Sequence, residues 1–336
     1  MDIAIVGEAW GEQEERQRVP FVGASGWELT RMLEDAGIRR ADCFLTNVFN
    51  LRPPGNEINL LCGPKAEGIR GYPALTKGYV RREFIPELER LGDEIAEVNP
   101  NIIICAGNTP LWALAGVTAI SKHRGTTLYS THTINGYKLL PTYHPAAVLR
   151  QWELRPVVVT DLMKAKREAG YPEIRRLKRE IWIEPTIEDI ERFYNEHIVG
   201  CERLAVDIET AGTQITCIGF APNPRIALVI PFLDTRRKGR SYWPTNADEG
   251  KAWRIVGRVL ADRSIPKVFQ NGLYDIAFIY RTRGIITVNA QHDTMLLHHA
   301  LQPESLKGLG FLGSVYTDES AWKQMRKHKT TIKRDD

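Results

Sequence analysis

Short apolar runs that stop abruptly at glycine or polar residues constrain this chain more than any other feature. The run 3–6 breaks into Gly7-Glu8, residues 43–48 enclose Asn47, 102–105 leads into a Gly-containing turn, and 138–142 stops at Tyr143-His144-Pro145. Runs this short, ended by turn residues, suit buried parallel strands better than helices. Between them, Leu29, Met32, Leu33 and Ala36 recur three and four apart before Gly37, predicting a helix over 27–36 after a loop from Ala9 to Gly26. The apolar residues of 79–98 repeat the helical spacing, and a short helix is expected around Leu111 to Leu114. The order is α/β, and an open parallel sheet places its ligand site beyond the carboxyl ends of its strands.

From Asp161 the chain turns basic, with Lys164, Lys166, Arg167, Arg175, Arg176, Lys178 and Arg179, and Gly170 and Pro172 interrupt any long helix. A unit over 1–170 and a basic linker over 171–185 follow from this. Beyond it, a capped helix from Thr186, a strand from Leu204, a hairpin through Gly219 and Pro222, a helix over 248–261, a strand over 266–269 and helices over 271–283 and 293–301 predict a second α/β unit over 186–322. The tail 323–336 is polar and basic until its last two residues, and frayed by expectation. A length of 336 residues agrees with two domains, and 43% hydrophobic against 26% charged residues excludes a wholly disordered chain.

Five cysteines without a CxxC pair read neither as a disulfide scaffold nor as a four-thiolate metal site, and the thiols are expected to be reduced. No basic-then-apolar leader opens the sequence, and no apolar run approaches the roughly 20 residues that cross a bilayer. A cytoplasmic location and no membrane partner are the expectations.

Glu8 stands where an apolar strand ends, close by topology to the strand-end loops that hold Asn47 and His144. Acids, an amide and an imidazole brought together supply water activation, base-edge recognition and stabilisation of charge on a leaving group. The glutamates of Gly7-Glu8-Ala9-Trp10-Gly11-Glu12-Gln13-Glu14 would repel a pyrophosphate, which argues against nucleotide-cofactor binding. GEAWGEQEE, RVPFVGASG, LTNVFNLRPPGN and YHPAAVLR, in that order, resemble the uracil-DNA glycosylase superfamily, closest to its thermostable, iron-sulfur type (family 4), over about residues 1–168. The resemblance implies that Glu8 and Glu14 lie in the loop that positions or activates the attacking water. It implies that Phe21 stacks on a flipped uracil, Asn47 reads its hydrogen-bonding edge, and His144 stabilises the departing base as an anion.

Trp10 stands where the family pattern has Pro, placing a large ring beside the pocket. Of the family's four cluster cysteines only Cys62 has a counterpart, so no iron-sulfur cluster is expected, and packing must hold the loop from Leu51 to Tyr79. Cys43 and Cys105 read as buried small hydrophobes. Arg52 beside the paired prolines, and Arg150 and Arg155 after the last motif, suit phosphate contacts on single-stranded or duplex DNA.

In the second unit, Asp207-Ile208-Glu209 puts two carboxylates on one strand face, among apolar neighbours that suggest a buried centre. Asp275, one helical turn after Asn271, adds a third acid, and three hard oxygen ligands suit Mg²⁺ or Mn²⁺. DIET, NGLYD and HDTMLLHHAL resemble the DnaQ-like (ribonuclease H-like) proofreading exonucleases of family A DNA polymerases, over roughly 200–320. The resemblance is incomplete, because no Tyr pairs with Asp335 to form the last metal motif, and Asp293 is not the missing ligand by position. The unit thus reads as truncated. Release of uracil from DNA, leaving an abasic site, is the leading reading for phage-type replication or repair. The alternatives are a non-excising accessory module of a family A polymerase, and a Mg²⁺-dependent 3′–5′ exonuclease completed by a polymerase core on a separate chain.

Overall fold

The computed structural model describes residues 1–237 and 241–319, so the tail 323–336, with Asp335, lies outside the described residues. The chain divides into two compact units, one formed by Met1–Arg176 with the segment from Gly310, the other by Leu177–Leu309. Each is described on its own.

The first unit begins with β1 (Ile3–Ala9), α1 (Glu12–Gln17), α2 (Ala24–Asp35) and β2 (Cys43–Phe49). The small pair β3 (Cys62–Gly63) and β4 (Tyr79–Val80) follows, then α3 (Ile85–Val98), β5 (Ile102–Ala106), α4 (Asn108–Ala115) and α5 (Ile120–His123). It continues with β6 (Leu128–Thr131), β7 (Asn135–Thr142), α6 (Pro145–Arg150) and α7 (Arg155–Glu168). The main sheet runs β2-β1-β5-β7-β6, parallel except for the antiparallel edge β6. The strand residues Ala4, Ile5, Val6 and Ile102 to Cys105 are buried on both faces, which explains their continuous rather than alternating apolarity.

Two expectations shift here. The predicted loop between Ala9 and Gly26 contains α1, whose first turn carries Glu12, Glu14 and Glu15, a favourable charge for a helix N-terminus. The helical spacing of 79–98 belongs to α3 only from Ile85, because Tyr79–Val80 pairs with Cys62–Gly63 and a 3₁₀ turn, Arg82–Phe84, intervenes.

The loop from Leu51 to Tyr79 is packed rather than open. Leu61, Cys62, Ile69 and Leu75 join the core on that face of the sheet, the Tyr72 ring lies 4.8 Å from that of Trp112, and Trp112 Nε1 donates to Pro73 O at 2.8 Å. All five cysteines are free thiols, with Cys43, Cys62 and Cys105 buried; burial pushes the Cys43 thiol up to about 11 and that of Cys105 higher still.

The second unit contains β8 (Glu180–Trp182), α8 (Ile187–Phe193), β9 (Leu204–Ala211), β10 (Gln214–Asn223), β11 (Ile226–Pro231) and α9 (Asn246–Ala261). β12 (Lys267–Phe269), α10 (Gly272–Arg283), β13 (His292–Asp293) and α11 (Thr294–Leu301) complete it. Its sheet order is β13-β12-β9-β10-β11-β8, so the end of the expected linker is itself an edge strand paired with β11. Thr186 and Asp189 form the reciprocal cap of α8.

The last described helix, α12 (Leu309–Tyr316), enters the first unit at Gly310, although the sequence reading places 310–322 in the second. The physical reason is polar. Buried Arg124 pairs with buried Asp161 and donates from Nη1 to Ser314 Oγ at 2.9 Å. Lys164 Nζ donates to Gly125 O at 2.7 Å and to the carbonyls of Ser314 and Thr317. No helix among the described residues is long and apolar enough to cross a membrane.

Candidate active site

The carboxyl ends of β1, β2, β5 and β7 surround a cavity of about 540 Å³. Glu8, Trp10, Glu14, Phe21, Asn47, His144 and Arg150, predicted from separate stretches of sequence, all line it. Arg52 does not. Its Nε donates to Asn56 Oδ1 at 2.7 Å and its guanidinium lies 3.6 Å from Glu15, so it braces the Pro-rich turn. Arg155 is held by Glu28 and Asp35, at 2.8 and 2.7 Å, rather than presented to a ligand.

Phe21 sits in the left-handed region, with φ 56°, and is 5% exposed. Such a conformation in an aromatic residue needs outside support. Glu14 provides it, for Oε1 accepts the Val22 and Gly23 N–H groups at 3.0 and 2.8 Å, and Arg40 Nη2 donates to Phe21 O at 2.8 Å. Gly26 lies under the same carbonyl, where any Cβ would collide with it. Glu14 is therefore engaged in holding the Phe21 loop. Gly7 faces Asn47 in register on the neighbouring strand. Arg90 of α3 donates to the Asn47 and Val48 carbonyls, both at 2.9 Å, fixing the strand end from which the Asn47 side chain projects.

His144 caps α6, its Nδ1 accepting from the Ala146 N–H at 3.1 Å. That bond places the ring proton on Nε2. Burial pushes the imidazole down to about 4, with Arg150 adding to the depression and Glu14 opposing it, so at neutral pH the ring is an uncharged donor. Its plane is tilted 26° from that of Phe21, with the ring centres 6.2 Å apart. Glu8 Oε2 accepts from Thr109 Oγ1 of α4. Trp10 is almost fully buried, with its indole N–H lacking a partner among the described residues and the Arg18 guanidinium 5.2 Å from its ring centre.

The sequence reading missed Arg40, Arg90 and Thr109. Arg40 and Arg90 are single basic residues among many, and only their buried acceptors distinguish them.

In the second unit, β9 corrects the expected buried pair. Leu204, Val206 and Ile208 point into the core while Asp207 and Glu209 lie on the exposed face, because alternation sends neighbouring residues to opposite sides. Asp275 is buried, and its Oδ1 accepts from the Ile208 N–H at 3.1 Å. Burial pushes its carboxyl up to about 6, the Ile208 N–H opposing and the Asp207 and Asp293 charges adding to the rise. Asp293 accepts from the Asn271, Gly272 and Met295 N–H groups. The acid oxygens suit a hard cation by type. Their arrangement does not fit one, since no three His, Cys, Asp or Glu side chains among the described residues are grouped to hold a metal ion.

Residues 1–167 match the family model for the uracil DNA glycosylase superfamily, and residues 183–335 match that for a 3′–5′ exonuclease. A type-4 uracil-DNA glycosylase of Thermotoga maritima is 33% identical over 168 residues, covering 49% of this chain and 76% of its own. A DNA polymerase of Bacillus phage SP01 is 23% identical over 329 residues, 88% of this chain but 32% of that protein. Among solved structures, Brucella melitensis NrnC is 20% identical with a TM-score of 0.29, over 43% of this chain and 61% of that one.

Proposed function

Because the chain belongs to the uracil-DNA glycosylase superfamily through its first unit and carries a DnaQ-like 3′–5′ exonuclease domain after it, we propose that the first unit releases uracil from DNA by hydrolysis. The observation that carries this reading is the convergence of an aromatic face, an amide and an uncharged imidazole donor on one cavity.

A base turned out of the strand stacks on Phe21 while the Asn47 amide reads its polar edge. As the bond between C1′ and the base nitrogen breaks, its electron pair passes to the pyrimidine, and His144 Nε2–H donates toward the oxygen where that charge gathers. A neutral donor stabilises that charge by a hydrogen bond without giving up its proton, and the departing anion takes up one proton from solvent, matching the one that the attacking water gives up. A water on the Glu8 side attacks C1′ and gives its proton to the carboxylate, leaving an abasic site. Arg150 at the rim suits a backbone phosphate. No step in this scheme passes through a metal.

The test is release of free uracil from single-stranded and duplex oligonucleotides, with and without EDTA. Release that survives EDTA supports the reading. Binding of both substrates without release overturns it and favours a non-excising accessory module of a DNA polymerase.

A second reading, a Mg²⁺- or Mn²⁺-dependent 3′–5′ exonuclease, is favoured by the crowding of Asp207 and Asp293 charge on buried Asp275. It requires completion of the metal set, for which a polymerase core on a separate chain is our candidate partner. Shortening of a 3′-labelled strand that Asp207→Ala abolishes would support it; an unshortened strand with the polymerase present would reject it.

A further inference from the structure

We infer that Thr109 is the positioning residue for Glu8, which deepens the glycosylase reading and rests on it. Thr109 is 1% exposed and occupies the first turn of α4, yet its hydroxyl donates to Glu8 Oε2 across 101 residues of sequence. β5 and β1 are neighbouring parallel strands, so a residue just beyond the end of β5 reaches the end of β1 directly. The turn that presents Thr109 is itself constrained by the site. Gly107 has φ 103°, and a Cβ there would stand 3.2 Å from His144 Cβ. The same turn therefore abuts the imidazole and grips the carboxylate.

The chemistry follows from the donor inventory. A threonine hydroxyl has one proton, and in a helix it commonly returns that proton to its own backbone. Here it goes to Glu8, so one carboxylate oxygen is fixed and the plane of the group is set. The other oxygen is left for the water that attacks C1′. Hydrogen bonds to ionised acceptors are stronger than neutral ones, and a buried β-branched residue holds its χ1 rotamer stiffly. Thr109 is not among the residues that line the cavity, so it acts through Glu8 alone.

The test uses the full chain and a uracil-containing single-stranded oligonucleotide, comparing Thr109→Val, Thr109→Ala, Thr109→Ser, Glu8→Gln and the Glu8→Gln/Thr109→Val pair, with thermal midpoints for each. Thr109→Val, which keeps the branched shape, is expected to lower kcat by about tenfold to a hundredfold with KM within about threefold. Thr109→Ser should restore kcat to within about threefold, and the double variant should be no slower than Glu8→Gln alone. Thr109→Ala serves if the Val variant does not fold. Undiminished kcat without the hydroxyl, or losses that multiply in the double variant, would overturn the inference while uracil release by the unaltered chain keeps the glycosylase reading. No release by the unaltered chain would overturn both.

Discussion

Gly7 and Asn47 stand opposite one another on parallel strands, and a methyl group on Gly7 would collide with Asn47 Oδ1 and come within 2.6 Å of Phe21 Cζ. The glycine is thus required by the close approach of Asn47 and Phe21, the two side chains we propose receive the base. Gly7→Ala is expected to lower kcat/KM for uracil release by about a hundredfold or more while costing about 1–3 kcal/mol of stability. Steady-state kinetics beside urea unfolding checks both, and full activity in a folded Gly7→Ala variant would show that the pocket adapts.

Glu14 separates acceptor from charge. Glu14→Gln keeps an oxygen for the Val22 and Gly23 N–H groups, whereas Glu14→Ala leaves both without one. The Ala variant should lose about 2–4 kcal/mol of unfolding free energy and most of its turnover, and the Gln variant should retain activity within about tenfold. If Gln is as damaging as Ala, the carboxylate has a chemical role beyond holding the Phe21 loop.

His144 sets a pH expectation. Its folded pKa, about 4, lies below the ordinary 6.5, so the unfolded chain binds more protons between these values and stability falls as pH drops from about 6.5 toward 4. Over the same window the folded ring stays neutral. The pH profile of single-turnover excision should therefore lack a His144 inflection near 6.5, and histidine titration by NMR should place the ring near 4. His144→Ala should cut kcat at least about tenfold with DNA affinity largely kept, because backbone charge supplies most binding.

Ser314 tests the docking of α12. Ser314→Ala removes the acceptor of Arg124 Nη1 and should cost about 1–3 kcal/mol of first-unit stability. A fragment ending at Arg176 also loses the Ser314 and Thr317 carbonyls that Lys164 donates to. Burial already holds the Lys164 ammonium below its ordinary range, so this fragment should melt well below the full chain by calorimetry. Equal melting would mean that α12 contributes no stability.

Much of the site is legible in the amino-acid sequence. Strand ends announce themselves by apolar runs that stop, and a parallel sheet gathers those ends, so topology alone brings Glu8, Asn47 and His144 together. The division of labour within the loop is not legible there. Glu8 and Glu14 are chemically identical in sequence, and only the hydroxyl beside one and the two N–H groups beside the other tell them apart. Asp207 and Glu209 mislead because apolar neighbours at odd spacing report the opposite face of a strand, not their own. The partnership of Arg124 with Ser314 spans 190 residues, beyond anything that periodicity reports.

The return of the chain to its first unit at Gly310 has a consequence for biosynthesis. A ribosome makes all of Leu177–Leu309 before the residues that complete the bonds of Arg124 and Lys164 exist, so the unit begun first is finished last. The intervening unit has its own sheet and core, and can fold while its host is still open. A proteolytic nick near Leu177 would cut the only covalent link between residues 1–176 and the rest of the chain, leaving the bonds of Arg124 and Lys164 to the segment after Gly310 to hold the first unit together.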